Sequence, residues 1–148
     1  MRSPFFIGRA LALAVPALAL AAAPSTPREA QAARIWRDSF GGKPTPGAEV
    51  LGDASAWNAF WRSQNRDTPA FDFTGAVAVV AYGGEKATGG YAVDFLEPTP
   101  QGNDLVVTWQ VVPPPADAMV PQVLTRPWAV RAFPRPTGGV IVKQVNAD

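Results

Sequence analysis

The chain contains neither cysteine nor histidine, and each absence removes a class of chemistry. Without cysteine, no disulfide framework can replace a hydrophobic core. Thiol catalysis, Cys-type metal sites and lipid attachment through an N-terminal cysteine are excluded as well. Without histidine, the commonest general base, the commonest metal ligand and every histidine-based triad are missing. A surplus of one charge is lacking too: thirteen Lys and Arg face twelve Asp and Glu, for a formal charge of +1. No basic run or acidic tail accompanies that balance, so neither nucleic acid nor an anionic membrane surface is called for as a partner.

The residues left for catalysis do not form a pattern. Asp94 and Glu97 stand three apart near a strand end, where alternation turns them to opposite faces. Asp67 and Asp72 flank Pro69 in a loop and are too sparse for a calcium site. Ser39, Ser55 and Ser63 have no lysine at a motif spacing. The stretch Gly83-Gly84-Glu85-Lys86-Ala87-Thr88-Gly89-Gly90 lacks the phosphate-loop pattern and joins two strands rather than a strand and a helix. These observations predict a non-enzyme with no cofactor and no metal site.

What is present begins with an address label. Arg2 and Arg9 precede an apolar run, Ala10 to Ala23, that is shorter than the ~20 residues a bilayer span requires. A basic start followed by such a run predicts an exported chain with a secretory signal over residues 1–32 and no membrane span after cleavage. Small residues at Ala19-Leu20-Ala21 and Ala30-Gln31-Ala32 offer cleavage after 21 or after 32. The remainder, 33–148, is read as a single domain in the periplasm or the medium.

Within that domain, Arg34 to Phe40 reads as a first strand. A helix is predicted from Ala54 to Gln64, capped by Asp53 or Ser55, with Trp57, Phe60 and Trp61 on one face. Thr74 to Tyr82 is a short Val-rich run expected to be a central strand covered on both faces. Tyr91 to Glu97 and Asn103 to Val112 alternate, the latter with Leu105, Val107, Trp109 and Val111 on one side. Trp128 to Phe133 and Val140 to Val145 follow, separated by Pro and Gly. The predicted fold is mostly β (α+β): a small antiparallel sandwich or curled sheet of about five to seven strands with one packed N-terminal helix.

Three loops stand out. Thr88-Gly89-Gly90-Tyr91 pairs two permissive glycines with an aromatic residue. Pro113-Pro114-Pro115 and Thr125-Arg126-Pro127-Trp128 are stiffened by proline, and Arg and Trp are enriched in interface hot spots. The candidate partner-binding residues are therefore Thr88, Gly89, Gly90, Tyr91, Arg126, Pro127 and Trp128.

In this order the residues resemble the PrcB C-terminal domain family. The resemblance runs through Trp57 and Trp61, Asp72-Phe73, Gly83 to Lys86 and Thr88 to Tyr91. It continues through Leu105-Val106-Val107, Pro113 to Pro115 and the Thr125-x-Pro127 element, covering roughly residues 54–143. The family is named after a secreted subunit that associates with and stabilises a bacterial protease complex. The resemblance thus implies a non-catalytic, exported protein-binding domain whose partner is an exported protease or its complex. A second resemblance is to chagasin-like protease inhibitors, whose binding loops are similar to Thr88-Gly89-Gly90-Tyr91 and Arg126-Pro127-Trp128. Here Gly89 stands in place of a second Thr, and a third loop is not apparent. It implies inhibition through those two loops. A third reading is a small-ligand or enzyme cleft around Tyr91, Trp109 and Trp128.

Overall fold

A computed structural model describes Gln31 and residues 34–147; apart from Gln31, the expected signal segment and its two candidate cleavage points lie outside the described residues. The described chain runs through strands β1 (Ile35–Asp38) and β2 (Gly47–Leu51), helix α1 (Ala54–Ser63), then β3 (Ala76–Tyr82), β4 (Ala92–Phe95), β5 (Thr99–Gln101), β6 (Asp104–Val112), β7 (Trp128–Pro134) and β8 (Val140–Asn146). The strands form two sheets. One has the order β1-β7-β3-β2; in the other, β6 is paired with β4, β5 and β8. β4 and β5 pair with successive stretches of β6, at 109–112 and 104–106, while β8 runs along 105–111. A strand has two edges, so β4 and β5 share one and β8 takes the other.

The mostly β sandwich with a packed helix is as the sequence predicts, with two additions. β2 and β5 were not anticipated, because Gly47 and Pro100 sit in segments that read as turns. Their pairing comes from neighbouring strands rather than from their own patterning. One ladder also departs from the antiparallel expectation: β6 and β8 are parallel. The chain leaves β6, crosses to the opposite sheet as β7, and returns beside β6. β7 thereby fills the role that a helix plays in a βαβ crossover.

The alternation of β3 explains the layering. Val77, Val79 and Ala81, with Phe133 of β7, face the second sheet and pack with Val93, Phe95, Val107 and Trp109. Ala78, Val80 and Tyr82 face the helix and pack with Trp57, Phe60, Trp61, Trp128 and Val130. All seven residues of β3 are buried, as expected for a strand covered on both faces. Helix α1 starts where Asp53, in an extended conformation, accepts the Ala56 N–H at 2.8 Å. That satisfies one of the amides left without a helical partner. Its three large aromatics sit edge-on to one another and to Trp36 and Trp128, with centroids 5.1–6.0 Å apart. Such T-shaped pairs add roughly 0.5–1.5 kcal/mol each beyond area burial.

The strand directions gather three connections at one end of the sandwich: 39–46, 83–91 and 113–127. The C-terminal end of β8 arrives there too. Two of the three carry the candidate residues.

Candidate functional site

The loop end is held together by backbone pairing between segments far apart in sequence. Lys86 and Thr125 exchange two hydrogen bonds, at 2.8 and 2.9 Å, as an isolated antiparallel bridge. Gly89 N–H donates to the Pro121 carbonyl at 2.9 Å. The Thr125 hydroxyl donates to the Thr88 carbonyl at 2.8 Å. On the far side, Arg126 N–H donates to Ser39 and Gly42 N–H donates to Arg126, both at 3.0 Å. The Arg126 guanidinium closes on Glu85 Oε2 through Nε and Nη2, at 2.9 and 2.7 Å. That pair is half-exposed, so screening limits it to about 1 kcal/mol or less.

The glycines of the Thr-Gly-Gly-Tyr element serve this closure. A Cβ on Gly89 would lie 2.9 Å from Pro121 Cδ, and one on Gly90 would lie 2.7 Å from Val120 Cγ1 and 2.8 Å from Pro114 Cβ. Gly90 also has φ +88°, a left-handed conformation that strains any other residue. The glycine pair is the seat on which the 113–121 segment rests.

The seven candidate residues fall into two groups. Thr88, Tyr91 and Arg126 are half-buried and Gly90 is exposed, so these four lie at the surface of one loop cluster. Gly89 is buried. Pro127 and Trp128 are fully buried, which corrects their assignment as contact residues. Trp128 packs edge-on against Phe60 and Trp61 and donates its indole N–H to the Phe40 carbonyl at 2.8 Å. The physical reason is register. Trp128 opens β7 on the helix-facing side, opposite Tyr82 and Asp38, and the aromatic layer claims it. Of the Arg126-Pro127-Trp128 loop, then, Arg126 alone reaches the surface. The aromatic-cleft reading meets the same obstacle, because Trp109 is 2 % exposed and Trp128 0 %. What remains near Tyr91 is a cleft of about 160 Å³ lined by Arg37, Asp38, Ser39, Ala92, Val93 and Trp128.

Sequence reasoning missed the most exposed apolar residues of the 113–127 connection. Met119 is fully exposed, Leu124 is 54 % exposed and Val123 43 % exposed. All three lie on the 113–127 connection, where Asp117 is the single charge before Arg126. A connection longer than about 12 residues with no element of its own is commonly functional, and that length was the available signal. The segment is not slack. Ala118 N–H donates to Pro115, and the bonds from Gly89 and Lys86 fasten its second half. Prolines at 113, 114, 115 and 121 restrict the rest. The result is a rigid, nearly uncharged apolar tip.

Residues 77–134 match the family model described as PrcB C-terminal. The matched span runs from β3 into β7 and contains both fastened loops. It bears out the resemblance over Gly83 to Lys86, Thr88 to Tyr91, Leu105 to Val107, Pro113 to Pro115 and Thr125 to Pro127. It is narrower than the sequence reading, leaving Trp57, Trp61 and Asp72-Phe73 outside. Neither the curated proteins nor the solved structures contain a match to this chain.

Proposed function

We propose that this chain is an exported, non-catalytic domain that docks onto an exported protease or its complex through the loop end of the sandwich. The observation that carries the reading is the fully exposed Met119, flanked by Val123 and Leu124, on a loop fastened to the Thr-Gly-Gly-Tyr segment inside the matched span. Apolar side chains carried on a fastened backbone favour association twice over. Docking removes their surface from solvent at about 25 cal/mol per Å², and little loop entropy remains to be lost. Tyr91 and Arg126, half-buried beside the loop, supply the aromatic and guanidinium groups that interfaces favour. The basic and apolar start of the sequence supports export. The lack of His and Cys supports a binding role over a catalytic one.

The test is affinity capture from envelope and secreted fractions, comparing the natural chain with a Met119→Asp, Leu124→Asp variant. Both positions are exposed, so the variant keeps the core. A protease or protease subunit retained by the natural chain and lost from the variant is the expected result. Equal capture by both, or no protease in either, would overturn the proposal.

A further inference from the structure

Two open sheets leave four strand edges: β1, β2, the β4–β5 line and β8. Unpaired edges invite another chain, and proteins usually blunt them with short strands, proline, breaks or charge. Three of the four are short or interrupted here. β1 has four residues and carries Arg37 and Asp38, with Arg37 bridging to Asp94 at 3.3 Å. β2 has five residues, with Glu49 at its centre. The β4–β5 line breaks between Phe95 and Thr99 and carries Pro98 and Pro100. β8 is different. It carries a central charge as β2 does, Lys143, but runs seven residues without proline or break and is in register with β6 throughout. Among the described residues, its backbone has no partner on the outer side. β2 comes near it on that flank without forming a ladder.

The outward face of the same strand carries a pattern. Ile141, Lys143 and Val145 alternate away from the core, opposite Val106, Thr108 and Gln110 of β6. Ile141 is 37 % and Val145 38 % exposed. Helix α1 lies on the other sheet, so none of the elements above covers this face. Lys143 between them has no counter-ion among the described residues, as is also true of Arg34, Arg62, Lys86 and Arg135.

We infer that the outer edge of β8 accepts an extended strand of a partner protein that places an acidic side chain opposite Lys143, between apolar ones opposite Ile141 and Val145. Backbone hydrogen bonds supply the pairing and alternate side chains the selectivity, as in strand addition generally. A second copy of this chain fits poorly. A symmetric antiparallel pair that keeps the exposed faces together sets Lys143 opposite itself, or opposite Ile141 or Val145. The first is repulsive and the others leave the charge unmatched. The lysine therefore acts against self-pairing while favouring an acidic partner. This inference does not rest on the 113–127 loop.

The test uses two capped seven-residue peptides, each alternating threonine with valine, a central charge and valine. One has glutamate at the centre and the other lysine. Binding is followed by fluorescence anisotropy and by amide shifts of the 15N-labelled chain, for the natural protein, Lys143→Glu and Met119→Asp. Cross-strand charge pairs contribute roughly 0.2–1 kcal/mol each, so attraction in one peptide and repulsion in the other predict about fivefold preference. The natural chain is expected to prefer glutamate and Lys143→Glu to prefer lysine. The shifted amides should be those of β8, and Met119→Asp should behave as the natural chain does. Absence of binding, binding without charge preference, or shifts confined to β1 or β2 would overturn the inference. A dimer in sedimentation that Lys143→Glu leaves intact and Val142→Pro abolishes would also overturn it, by giving the edge to a second copy.

Discussion

The Thr125 hydroxyl donates to the Thr88 carbonyl at 2.8 Å across thirty-seven positions of sequence, and Thr125 is 2 % exposed. This bond ties the proline-rich connection to the Thr-Gly-Gly-Tyr segment from the inside. Thr125→Val keeps the shape and removes the donor, leaving a partly buried carbonyl without that partner. The expected loss is about 1–3 kcal/mol of unfolding free energy, read from urea titrations. Amide exchange at Lys86 and Gly89 should quicken beyond what the global loss accounts for. If those two amides stay as protected as their strand neighbours, the loops are held by something other than this bond.

Gly90 and Gly102 separate conformation from crowding. Both have positive φ, +88° and +61°, but a Cβ on Gly102 meets nothing within 4 Å. Gly102→Ala should cost about 1–2 kcal/mol, the left-handed penalty alone. Gly90→Ala adds the collision with Val120 and Pro114, and overpacking costs about 1–3 kcal/mol more. Equal midpoints for the two variants in urea would mean that the 113–121 segment moves aside freely, contrary to a rigid seat.

The two helix tryptophans make a sharper comparison. Trp57 and Trp61 are each 2 % exposed. The Trp57 indole N–H donates to the Pro69 carbonyl at 2.9 Å, whereas that of Trp61 has no hydrogen-bond partner among the described residues. Replacement by phenylalanine removes similar volume at each site but strands a carbonyl at the first alone. Trp57→Phe is expected to be the more destabilising by about 1 kcal/mol, measured as the difference between two urea midpoints.

Much of the fold was legible because burial on one or two faces leaves a periodic trace. The aromatic stripe of α1, the alternation of β6 and the continuous apolar run of β3 each announce their layer. β2 and β5 leave no such trace, since Gly47 and Pro100 occupy strands whose existence depends on β3 and β6 beside them. The site was legible in part. The sequence brought forward the two segments that the fold fastens together. It could not tell that Trp128 faces the helix, because that depends on the register of β7 against β3 and β1. Nor does a tryptophan after proline differ, in sequence, between hot spot and core. Met119 and Leu124 escaped notice because exposure in an irregular segment has no period to read.

Tyr82 gives the fold a dependence on alkaline pH. Its side chain is 5 % exposed in the helix-facing layer, and burial, reinforced by the nearby Glu49 carboxylate, pushes its phenol well above the ordinary value near 10. Lys43 lies over the ring at 4.7 Å and is paired with Glu49. Below pH ~10 the phenol is neutral in both folded and unfolded chains, and its contribution to stability is fully present. Above that, the unfolded chain releases the proton while the folded chain keeps it. Stability then falls by up to about 1.4 kcal/mol per pH unit until the folded value is reached. Tyr82→Phe removes the titration, so the difference between the natural chain and this variant should be constant up to pH ~10 and shift steadily in favour of the variant above it. Glu49→Gln, which removes the smaller of the two causes, should leave most of that slope in place. A pH-independent difference in urea midpoints between the natural chain and Tyr82→Phe would mean that the phenol ionises as readily in the fold as in the unfolded chain, and so that the layer between α1 and β3 admits water.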